Sequence, residues 1–199
     1  MRDPGVFVDQ EDTVFSAVLL AGGRSTRMGF DKSSLLIKGE PLWQRQIRLL
    51  QSLGAVEVSI SGPAHGPWQG RGIPIIEDTI PFLGPMGALV GILEKSTTDH
   101  VLILAVDMPA MHAGFLRILL AAQRPIVPIH DGYFEPLAAI YHKKLLPSLR
   151  SHLANDQRSL QHFLRECVAQ EQIQTYHLHP AELICFENLN TPPPDHHRS

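Results

Sequence analysis

The sequence predicts an α/β protein built as a three-layer αβα sandwich around a mostly parallel sheet. Three observations predict it. Apolar runs of strand length alternate with amphipathic segments of helix length, the pattern of a parallel sheet covered by helices. The 199 residues, 44% hydrophobic and 19% charged, suffice for one substantial core but are few for two. No self-similar period runs along the chain, which sets solenoids and propellers aside.

The first strand is expected over residues 15–21, an apolar run that ends at two glycines. In PLWQRQIRLLQSLG, residues 41–54, Leu42, Ile47, Leu49, Leu50 and Leu53 give a helix its apolar face. Pro41 stands near its start and Gly54 stops it. Strands at 56–61 and 73–77 follow, closing a βαβ unit. A second helix, PMGALVGILEK, is opened by Gly84-Pro85; a strand over 100–106 and a third helix from Ala113 come next. After Arg124 the pattern loosens. PIVPI reads as a strand, LAAIYHKKLLPSLRSHL mixes strand and helix tendencies, and RSLQHFLREC is helical. Residues 14–191 are expected to form a single domain, with 1–13 an N-terminal extension and 192–199, opened by three prolines, a flexible tail.

A net charge of −3 argues against a surface built for nucleic acid. Cys167 and Cys185 have no CxxC spacing and are too few for a disulfide framework, so a reducing cytoplasm is expected. The acidic N-terminal segment lacks the positive flank and apolar run of a signal peptide. No uncharged apolar stretch approaches membrane-spanning length, so neither export nor a membrane partner is expected. Eleven histidines form no HExxH motif or Cys/His cluster and are expected at the surface. His142 and His162 are left open between surface and partial burial.

In folds of this class ligands gather beyond the carboxyl ends of the strands. LAGGRSTRMGFDK, residues 20–32, falls there. Gly22 and Gly23 lack a Cβ, so their amides can approach an anion closely, and Arg24, Arg27 and Lys32 add three cations, a setting for a polyphosphate. The alternative is a glycine turn with solvated cations. A Walker A loop is excluded because Phe30 and Asp31 separate Gly29 from Lys32, and GxGxxG is absent. Asp107 ends the apolar run HVLILAVD, where a carboxylate can hold Mg²⁺ beside phosphate oxygens or cap the next helix. Asp78 follows the third strand and can cap the turn there.

These residues carry a resemblance. LAGGRSTRMGFDK resembles the signature loop LAGGxSxRMGxDK of the MobA-type molybdenum cofactor guanylyltransferases, and the Asp31-Lys32 pair favours that branch over the cytidylyl and sugar-phosphate enzymes. Asp78 in IIEDTIPFLGP, Asp107 in AVDMP, and Asn188 and Asn190 in ENLNTP match further family motifs in order. Ser61 stands where an asparagine is looked for, and the tail lacks the usual acidic helix.

The resemblance implies a Rossmann-like nucleotide-diphospho-sugar transferase fold of GT-A type. It implies GTP contacts from Leu20, Ala21, Gly22, Gly23, Lys32, Ser61, Asp78 and Asp107, with Asp78 on guanine or ribose. Arg27, Lys32 and Asp107 are the implied catalytic residues, with Mg²⁺ on Asp107. Asn188 and Asn190, on one side of an extended segment, are implied to face molybdopterin; for Asn190, turn capping is the alternative. Glu135, with Asp131 and Tyr133, is expected to line the same acceptor pocket. The implied reaction transfers GMP from GTP to the terminal phosphate of Mo-molybdopterin, with molybdoenzymes or other cofactor-pathway proteins as further candidate partners. A cytidylyl- or sugar-phosphate nucleotidyltransferase, or a noncatalytic GTP- or cofactor-binding module, is the alternative.

Overall fold

Apolar side chains on both sides of the run FSAVLL can be buried only in a strand covered on both faces. The computed structural model describes residues 13–22, 32–77 and 83–188 and makes this run β1 (Phe15–Leu20), buried throughout, inside an eight-stranded sheet. Around it come β4 (Glu57–Ser61), β5 (Ile75–Ile76), β6 (His100–Ala105), β7 (Ile126–His130), β8 (Tyr133–Phe134), β9 (Ala138–His142) and β10 (Gln174–His177); β2 (Leu36–Ile37) and β3 (Glu40–Pro41) pair separately. The order across the sheet is β5-β4-β1-β6-β9-β7-β10, with β8 beside β7. β4 and β6 run parallel to β1, β5 parallel to β4, and β10 parallel to β7. β9 reverses direction between β6 and β7.

The helices are α1 (Leu42–Gln51), α2 (Gly84–Lys95), α3 (Ala113–Ala121), α4 (Leu146–Ala154) and α5 (Leu160–Ala169). Strand alternation sorts the core into two layers. Ala17 and Leu19 of β1, with Leu102 and Leu104 of β6, pack against α1, α3 and the 3₁₀ turn Pro180–Phe186. Val18 and Leu20, with Val101 and Ile103, pack against α2, α4 and α5. The expected αβα layering is therefore present. Truncating a fully buried strand residue such as Leu104 to Ala should cost about 2–5 kcal/mol.

Local chemistry sets the boundaries. Gly54, at φ +84°, follows α1 in a conformation disfavoured for other residues, and Gly84, at φ +62°, opens α2 ahead of Pro85. The mixed segment separates into β9, a 3₁₀ turn Lys143–Leu145, and α4 with a proline in its first turn, where a missing N–H costs nothing. The expected strands shrink at their ends: 15–21 ends at Leu20, 56–61 begins at Glu57, 73–77 is paired only at Ile75–Ile76, on the sheet edge, and 100–106 ends at Ala105. β10 was not foreseen, because QTYH carries no apolar alternation.

Candidate active site

β1 has β4 on one side and β6 on the other, so the chain leaves the sheet centre first in one direction and then in the opposite one. The carboxyl end of β1 is the switch point at which such sheets open a crevice. Leu20, Ala21 and Gly22 stand there. The Val106 N–H donates to the Leu20 carbonyl at 3.0 Å, which brings Asp107 alongside. On the other flank the Ala21 and Gly22 N–H groups both donate to the Ser61 carbonyl, at 2.8 and 3.0 Å. Leu20, Ala21, Gly22, Ser61 and Asp107 thus meet on one edge.

Two details correct the expected chemistry. The Gly22 amide, expected to face a phosphate, is already bonded to Ser61, so an amide cradle has to come from residues beyond it. The Leu20 side chain turns into the α2 layer, beside Pro85 and Ile103, and only its backbone borders the edge. The Ser61 hydroxyl is buried and has no hydrogen-bond partner among the described residues, which leaves a donor and an acceptor in the floor of the edge.

Asp107 does not cap a helix. α3 begins six residues later and is capped by His112, whose Nδ1 accepts from the Phe115 N–H at 3.3 Å. The half-buried Asp107 carboxylate has no hydrogen bond or ion pair among the described residues. A single unengaged carboxylate at a strand end fits Mg²⁺, which commonly takes one or two protein carboxylates and completes its shell with phosphate oxygens and water.

The turn after Asp107 is anchored by a residue that the sequence did not single out. Gln46, fully buried on α1, donates from Nε2 to the Met108 carbonyl at 2.6 Å, while its Oε1 has no partner among the described residues. The available signal was position: Gln46 falls in the helix stripe of Leu42, Trp43 and Leu50, where an apolar residue is the rule. Gly62 was also missed. A Cβ there would lie 3.1 Å from Trp68 Cζ2, 3.3 Å from the Gly22 nitrogen and 3.4 Å from the Ala21 carbonyl carbon, so this glycine lets Trp68 press against the floor of the edge. Trp68 is held by its Nε1–H bond to the Pro63 carbonyl, 3.1 Å, and by the edge of Trp43.

Glu135 reaches the same edge, because β9 runs antiparallel to β6 and its first residues adjoin the end of β6; the Ala105 N–H donates to the Leu137 carbonyl at 2.7 Å. Its backbone is fixed on every side. The Glu135 N–H donates to the Pro128 carbonyl at 2.8 Å, and the Tyr141 hydroxyl donates to the Pro136 carbonyl at 2.8 Å. Gln161 clamps Phe134 through both its N–H and C=O, at 3.0 and 2.8 Å. Burial pushes the Glu135 carboxyl above the usual carboxylate range, and His130 pulls it partly back. Asp131 and Tyr133 are exposed nearby. Asn188, also exposed, follows the Pro180–Phe186 turn, and Phe186 stacks edge-on against Phe115 at the start of α3, which puts this turn at the Asp107 end of the sheet. Gly23, Arg24, Arg27, Asp78 and Asn190 lie outside the described residues, as does the Lys32 side chain.

Residues 17–173 match the model of the MobA-like NTP transferase domain. The chain belongs to this family. As a member it is an enzyme of the nucleotidyltransferase class. A relative from Opitutus terrae named "probable molybdenum cofactor guanylyltransferase" is 34% identical over 186 residues, 90% of this chain and 92% of its own. One from Bacillus subtilis with the same name is 34% identical over 184 residues, covering 87% and 89%. The solved structure of molybdopterin-guanine dinucleotide biosynthesis protein A from Archaeoglobus fulgidus superposes with a TM-score of 0.69 at 21% identity, covering 89% of this chain and 93% of that one. At that identity it speaks for the fold alone.

Proposed function

We propose that this MobA-like enzyme transfers GMP from GTP to the terminal phosphate of Mo-molybdopterin, giving the guanine dinucleotide and pyrophosphate. One observation carries the reading: the Asp107 carboxylate, two residues past the end of β6, has no partner among the described residues and stands beside the β1 end that leads into GGRSTRMGFDK, in a chain whose relatives are named molybdenum cofactor guanylyltransferases. The acceptor phosphate oxygen attacks the α-phosphorus of GTP, a new P–O bond forms, and the bond to the β,γ-pyrophosphate breaks. The attacking group is already an anion and needs no base, so this chain acts by in-line positioning and by offsetting charge.

Arg27 and Lys32 are assigned to the triphosphate, with the Gly23 amide beside them. Asp107 is the residue that would hold Mg²⁺, and the ion would supply positive charge to offset that of the leaving pyrophosphate. Leu20, Ala21, Gly22 and Ser61 border the nucleotide through backbone and hydroxyl groups. Asp78 contacts the guanine or ribose. Glu135, Asn188 and Asn190 face the molybdopterin. The rigid hold on residues 134–136 supports the Glu135 assignment, since a positioned group works best on fixed backbone. One sheet shared by both core layers supports a single domain over 14–191, and two unpaired, buried cysteines support a cytoplasmic setting.

The test is pyrophosphate release by purified protein with Mg²⁺ and Mo-molybdopterin, comparing GTP with CTP, ATP and UTP. Release with GTP alone, with dinucleotide formed, is the expected result. Release with another nucleotide rejects the guanylyl assignment while keeping the transfer. GTP binding without release in the presence of active acceptor points to a binding module.

A further inference from the structure

α4 and α5 bring together three metal-ligating side chains that the nucleotide site does not use. His152 comes from α4; His162 and Glu166 come from α5, one turn apart on one face. His152 Nε2 lies 3.1 Å from Glu166 Oε2, and His162 Nε2 lies 2.9 Å from Glu166 Oε1. One ligand atom from each of the three side chains falls within 4.8 Å of the other two. The sequence set its histidines aside because no linear motif joins positions 152, 162 and 166; two packed helices assemble the cluster instead.

His152 is 7% exposed, and its Nδ1 lies 3.0 Å from the Ser148 carbonyl one turn back. A carbonyl oxygen can only accept, so Nδ1 carries the proton and donates it, and in the neutral ring Nε2 presents a lone pair. Among the described residues that buried Nε2 makes no hydrogen bond of good geometry, yet a carboxylate oxygen stands 3.1 Å away. Two electron-pair donors stand this close only with a cation between them, either a proton shared as in an imidazolium–carboxylate pair or a metal ion. A histidine whose other nitrogen is tied to a backbone carbonyl is also the usual arrangement of a metal-ligating imidazole. Phe163, edge-on at 5.2 Å between ring centroids, holds the His152 ring in place.

We propose that His152, His162 and Glu166 form a divalent transition-metal site, with Zn²⁺ the cation that suits the donors. Mg²⁺ and Ca²⁺ select oxygen-only ligands and soft cations select thiolates, whereas two imidazoles and a carboxylate suit Zn²⁺. Zn²⁺ binds such ligands at about 2.0–2.2 Å in a tetrahedron, with neighbouring ligand atoms about 3.3 Å apart. The fourth position is left to water. The cation pins α5 to α4 across residues 155–159, and next to His162 on α5 stands Gln161, the clamp on Phe134. This inference stands apart from the guanylyl reading.

The test titrates chelator-treated full-length protein with Zn²⁺ by calorimetry, and with Co²⁺ by its visible absorption. His162→Ala and Glu166→Gln alter surface positions of α5 and leave the core intact; a His196→Ala, His197→Ala double variant controls for the histidines of the tail. The proposal predicts one Zn²⁺ per chain and a tetrahedral-type Co²⁺ spectrum. Affinity should fall at least about 10-fold in each α5 variant and stay unchanged in the tail variant. Zn²⁺ should raise Tm in the wild type but not in Glu166→Gln. Absence of Zn²⁺ binding, affinity unchanged in both α5 variants, or loss only in the tail variant overturns it.

Discussion

Replacing Gln46 with Met separates stability from catalysis. The wild-type side chain donates one 2.6 Å hydrogen bond to the Met108 carbonyl and carries a buried Oε1 with no partner among the described residues. Met has nearly the same shape and neither polar atom. Losing the hydrogen bond costs about 0.5–1.5 kcal/mol, and removing the unpartnered oxygen returns about 1–3 kcal/mol. The Met108 carbonyl is not orphaned, because the Met111 N–H still donates to it at 3.2 Å. The net change in stability should therefore fall between about 0.5 kcal/mol destabilising and about 2.5 kcal/mol stabilising. Gln46→Ala, which also opens a cavity, should lose about 2–5 kcal/mol. Catalysis should respond in the opposite sense. Without the anchor the turn bearing Asp107 can drift, and a misplacement near 1 Å costs up to about 10²-fold in rate. Urea unfolding gives the first quantity and pyrophosphate release with GTP gives the second. A Gln46→Met protein with wild-type kcat, or one destabilised by more than about 3 kcal/mol, refutes the reasoning.

Gly62→Ala places a methyl 3.1 Å from Trp68 and 3.3 Å from the Gly22 nitrogen, so it should destabilise by about 1–3 kcal/mol and raise KM for GTP more than it lowers kcat; steady-state kinetics and melting check both. Burial holds the Glu135 carboxyl above its unfolded value, so the folded protein binds this proton more tightly and loses stability as pH rises through the folded pKa. Glu135→Gln should therefore gain Tm over wild type, with the gain larger at about pH 7 than at about pH 4; an equal difference at both contradicts the burial argument. Cys167 and Cys185 are each 1% exposed, and burial pushes the Cys185 thiol up, so neither should react with a disulfide reagent at about pH 8 until the chain unfolds.

The layers of the fold were legible because β1 and β6 are apolar on both faces, a pattern that few other structures can bury. The helix limits near Gly54 and Gly84 were legible for a similar reason, since each glycine occupies a backbone region closed to most side chains. β10 escaped because it is a half-exposed strand stabilised by pairing with β7 rather than by its own side chains. At the site, the sequence led to the edge where Leu20, Ala21, Ser61 and Asp107 meet. It could not show that the Gly22 amide is engaged by Ser61, because a backbone bond leaves no mark on residue type. Gln46 and the His152, His162, Glu166 cluster escaped for a further reason: their partners lie on other elements, so the meaning of each appears only after packing.

The assignment of Asp107 to Mg²⁺ is tested by the Mg²⁺ dependence of pyrophosphate release in wild type and Asp107→Asn, with GTP and Mo-molybdopterin. Asn keeps the size of the side chain and removes its charge, and the absence of a hydrogen-bond partner among the described residues predicts an unchanged melting temperature. The account predicts a loss of about 10²–10³ in turnover, only partly recovered at high Mg²⁺. A folded Asp107→Asn protein with wild-type turnover at limiting Mg²⁺ contradicts it.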